Sequence, residues 1–161
     1  MERRVRWAKA VADTLAVDST QDNVRAMDFI IDNTTDIAIH RLAPKVLPNE
    51  QFNTRKTYPA RYRLPQANHG YSRAEMIIKI EIFALGSLFY ELASGQSPWA
   101  EVTHLTEDEI ALRFTNHRFP DSTPFAELGT VIEHCWTREY TDVGQVASDV
   151  NGICELDSGT L

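Results

Sequence analysis

The sequence predicts a mainly helical fold with a short β-hairpin, built around one central buried helix. Three observations predict it. Residues 72–93 are apolar or small over most of a helix circumference, as in a helix enclosed by its domain. Helical periodicity also marks 3–16 before this segment and three stretches after it. Between the first two helices, Phe29-Ile30-Ile31 and Ile37-Ala38-Ile39 flank Asp32-Asn33-Thr34-Thr35, a turn by composition.

In chain order, Val5, Ala8, Val11, Ala12 and Leu15 recur at spacings of three and four, giving a helix over 3–16. A polar stretch follows over 17–23, and then the two strand-like runs. Residues 43–68 hold Pro44, Pro48, Pro59 and Pro65 and several basic side chains, a long irregular segment of the kind that carries function or moves. Ser72 is the expected N-cap of the central helix, with Glu75 completing a capping box. Gly95 ends that helix and Pro98 prevents its resumption. Thr106 and Glu109 repeat the box before a helix over 106–114. Residues 125–136 form the next helix, with Leu128, Val131, Ile132, Cys135 and Trp136. The last covers 143–153, opened by Thr141 or Asp142.

The chain has 161 residues and a mass of 18.3 kDa, enough for one ordinary domain or a fragment of something larger. Sixteen Lys and Arg against 23 Asp and Glu give a net charge of -7. That balance argues against nucleic-acid binding, which draws on phosphate neutralisation. Cys135 and Cys154 form no disulfide framework and read as reduced thiols, Cys135 within a core. The most apolar stretch, 80–93, contains Glu81 and Glu91 and falls short of the roughly 20 apolar residues of a membrane span. No signal or transit peptide is recognisable at the acidic-interrupted N-terminus, so the expected location is cytoplasmic or nuclear, without membrane association.

The segment 81–99, EIFALGSLFYELASGQSPW, resembles the protein-kinase pattern D-x-[FY]-[AS]-[FL]-G-x-x-[LIV]-[YW]-E-[LIM]-x-[ST]-G-x-x-P-[FW]. VIEHCW at 131–136 is similar to a helix late in kinase domains, and 3–16 looks like the helix before the catalytic loop. The resemblance spans 2–153 and leaves 154–161 as a short C-terminal tail. It implies a protein-kinase-like C-terminal, helical lobe, most like divergent fungal kinase-like proteins.

The resemblance also implies where catalytic parts should stand. Aligned on Phe29, the position of the catalytic-loop Asp falls on Asn23 and that of its metal-binding Asn on Asp28. An amide cannot take a proton as a carboxylate does, so Asn23 is a poor base; Asp22, one residue away, is the possible substitute. Asp28 retains an oxygen suited to a hard cation. The metal-binding Asp of D-F-G falls on Arg41, whose charge repels a dication, so Arg41 is no ligand. The central helix carries Glu81 where the family has Asp. These residues contain no glycine-rich loop, no strand lysine and no nucleotide-covering N-terminal lobe. The expectation is therefore a pseudokinase-type interaction module with no cofactor. The alternative is a Ser/Thr kinase, using ATP and Mg, whose N-terminal lobe is missing from this chain. A decayed remnant is a third reading.

Other residues read more simply. His134-Cys135 lacks metal-ligand spacing, and His40, His69, His104 and His117 are scattered surface residues. Ser87 sits inside a helix without the second glycine of a nucleophile elbow. Arg55, Lys56, Arg61 and Arg63 form either a charged loop or a site for phosphate or an acidic peptide. A protein partner or self-association is expected through the face that would meet the missing lobe, around 29–39.

Overall fold

The computed structural model describes the backbone of residues 2–18, 29–31, 37–39, 58–65 and 70–158. It is mainly helical, with α1 (Glu2–Asp18), α2 (Arg73–Ser94), α3 (Glu107–Thr115), α4 (Glu127–Thr137) and α5 (Val143–Ser158). Two three-residue strands, β1 (Phe29–Ile31) and β2 (Ile37–Ile39), pair antiparallel, Phe29 opposite Ile39 and Ile31 opposite Ile37. The turn expected at 32–35 and the side chains of both strands lie outside the described residues.

The helices begin where capping chemistry allows. Ser72 Oγ accepts the Glu75 N–H at 3.3 Å while Glu75 accepts the Ser72 N–H at 2.8 Å, so two orphan donors of α2 are satisfied reciprocally. Thr106 and Glu109 do the same for α3, at 3.2 and 2.8 Å. Gly95 closes α2 at φ 80°, a left-handed conformation that side chains with a Cβ rarely adopt, and its N–H reaches Glu91 O at 2.8 Å.

Two boundaries differ from the sequence reading. A 3₁₀ turn, Thr123–Phe125, precedes α4, and Ala126 at φ 51° separates the two, so the helix expected from 125 starts at Glu127. The last helix runs on to Ser158, and the tail placed at 154–161 is helical through 158. Nothing in the sequence stops it at 153: Leu156 extends the three- and four-residue spacing of Val146, Val150 and Ile153, and the next glycine is Gly159.

α2 is the centre of the packing. It lies along α4 and also meets α1, α5 and the segment 58–65, while α1 lies along α5. Ile82, Phe83, Ala84, Leu85 and Phe89 are fully buried. Gly86 lets α4 approach, since a Cβ there would stand 2.7 Å from Cys135 Cβ. Trp136 anchors an aromatic cluster: Phe119 stacks on it at 5.5 Å, and Tyr90 and Phe114 pack at 5.6 and 5.9 Å. On the other side, Lys9 bonds Asp13 at 3.0 Å and also Asn151, which donates to Asp13 at 3.1 Å, tying α1 to α5. The Lys79 ammonium is buried and donates to Arg138 O at 2.8 Å and to Tyr140 O, pinning α2 to the turn between α4 and α5. Burial, reinforced by the Arg138 charge, lowers its pKa.

Candidate functional site

Asn23, Asp22, Asp28 and Arg41, the positions the resemblance singled out, lie outside the described residues. So do Arg55 and Lys56. The described part of the long proline-bearing segment, 58–65, is a strap laid across α2 and α3. Pro59 fixes its entry, and a 3₁₀ turn, Ala60–Tyr62, follows.

The strap is held by groups far away in sequence. Tyr58, 2% exposed, donates its hydroxyl to Glu81 at 2.6 Å. Tyr62 donates to Glu91, so the two tyrosines engage one carboxylate near the middle of α2 and one in its last turn. Burial, then that hydrogen bond, pushes the Tyr62 phenol far above its ordinary range. Glu107, in the first turn of α3, accepts the Ala60 N–H at 2.8 Å and faces Arg63 at 3.5 Å. Arg61 donates to Pro98 O, and Arg63 Nε to Tyr58 O at 2.7 Å. Arg61 and Arg63, expected as part of a basic cluster, thus make contacts within the chain: Arg61 ties the strap to the loop after α2, and Arg63 closes a turn and faces Glu107.

Glu81, which stands where the resembled family has Asp, serves as the acceptor for Tyr58. Ser87 is fully buried and accepts the Trp136 indole N–H, which fits its reading as a structural residue. Cys135 is fully buried, and burial followed by the Asp149 charge pushes its thiol far above the ordinary range, so it is a poor nucleophile. His134 faces Glu139 at 3.4 Å and the edge of Tyr140 at 5.6 Å. Among the described residues, no group of three His, Cys, Asp or Glu side chains could hold a metal ion. No helix among them is long and apolar enough to cross a membrane.

Between the strap and α3 runs an open groove of about 410 Å³, lined by Arg63, Leu64, Pro65, Asp108, Ala111, Leu112 and Thr115. A smaller pocket of about 60 Å³ shares the Leu64, Pro65 and Thr115 walls and continues to Phe114, His117, Trp136 and Arg138. Leu112 is 59% exposed beside this groove. Sequence reading missed the strap contacts and the groove. The available signals were Tyr58 and Tyr62 on either side of Pro59 and a leucine at 112 beside, not on, the Ile110–Phe114 core spacing.

The groove is lined by apolar side chains with Arg63 and Asp108 among them, and the polar groups of the strap are committed to internal contacts. No family model matches the chain, and no curated protein is significantly similar to it.

Proposed function

We propose that this chain is a protein-kinase-like C-terminal lobe that does not transfer phosphate and acts as a protein-interaction module. The observation that carries the reading is the fate of the kinase-like segment 81–99. Its residues fall on the buried central helix α2 and on the turn that Gly95 closes, as a segment organising a helical lobe would. The kinase-like VIEHCW residues fall on α4, which packs along α2 through Gly86 and Cys135.

Inactivity follows from residue chemistry at the aligned positions. Arg41 puts a cation where a metal carboxylate is required, and Asn23 puts an amide where a base is required. Phosphoryl transfer is positioning and electrostatics, so both changes act on the parts that matter. The binding face is the one around 29–39, the surface that would meet the N-terminal lobe in the resembled family.

Thermal denaturation with ATP and Mg²⁺ tests the reading, the expected result being an unchanged midpoint. A dose-dependent rise, or phosphate transfer to a generic protein substrate that is lost in Asp28→Ala, would establish the active-kinase alternative instead.

A further inference from the structure

We draw no further inference here: the strongest candidate, the open groove between the strap and α3 beside the exposed Leu112, carries none because nothing in the structure shows what covers it.

Discussion

The indole N–H of Trp136 donates to Ser87 Oγ at 3.0 Å, inside a contact where both side chains are buried. The bond joins α4 to α2 at the point where Gly86 already brings the helices close. A buried indole N–H without a partner costs the desolvation of that group, so a serine in the middle of an apolar helix is favourable here.

Ser87→Ala should therefore destabilise the fold by about 1–3 kcal/mol, although alanine is the better helix former. The cost comes from the orphaned indole, so it should shrink toward zero in a Trp136→Phe background. Urea unfolding of the four members of this double-mutant cycle measures the coupling. Equal costs of Ser87→Ala in both backgrounds would show that the bond contributes nothing.

Gly86→Ala sets two effects against each other. Helix propensity favours alanine by about 1 kcal/mol. The new Cβ would stand 2.7 Å from Cys135 Cβ and 3.2 Å from Ile132 O, a backbone-proximal clash that no rotamer change relieves. Overpacking of this kind costs about 1–3 kcal/mol, so the net effect should be a loss of stability. A midpoint equal to or above wild type would mean that α4 moves away freely.

What the sequence made legible was local. Ser72 and Glu75, Thr106 and Glu109, and Gly95 carry their roles in spacing alone, because capping connects residues three or four apart. Burial of α2 was legible for the same reason, its apolar residues leaving no polar face. The strap was not: Tyr58 meets Glu81 and Ala60 meets Glu107 across long separations, and no period announces a polar contact between distant segments. The α4 start was misplaced because the positive φ at Ala126 is set by packing, not by alanine's own preference. The candidate positions 22, 23, 28 and 41 lie outside the described residues, and the groove between the strap and α3 depends on the strap's docking.

Glu107→Ala tests that docking. The variant loses the acceptor for the Ala60 N–H at 2.8 Å and the charge facing Arg63. Glu107 is largely exposed, so global stability should fall by less than about 1 kcal/mol. The strap itself should loosen locally. Limited trypsin digestion should cut after Arg61 or Arg63 several-fold faster than in wild type, with the urea midpoint almost unchanged. Unaltered cleavage would show that the Tyr58 and Tyr62 contacts suffice to hold the strap.

The two capping boxes also fix an acid sensitivity. Hydrogen bonds with the side chain and backbone of Ser72 hold the Glu75 carboxyl below its ordinary value of 4.5. The backbone and then the side chain of Thr106 do the same for Glu109. Each group therefore binds protons more readily in the unfolded chain than in the folded one. Stability from both is complete above the ordinary glutamate range and is lost as pH falls through the lower folded values. Glu75→Gln with Glu109→Gln keeps an acceptor at each N3 position but removes the titration. Urea midpoints from pH 7 down to 3 should fall less steeply in this variant than in wild type. Parallel slopes would assign the acid sensitivity elsewhere, for instance to Asp121, whose carboxyl the Thr123 side chain and backbone also hold low.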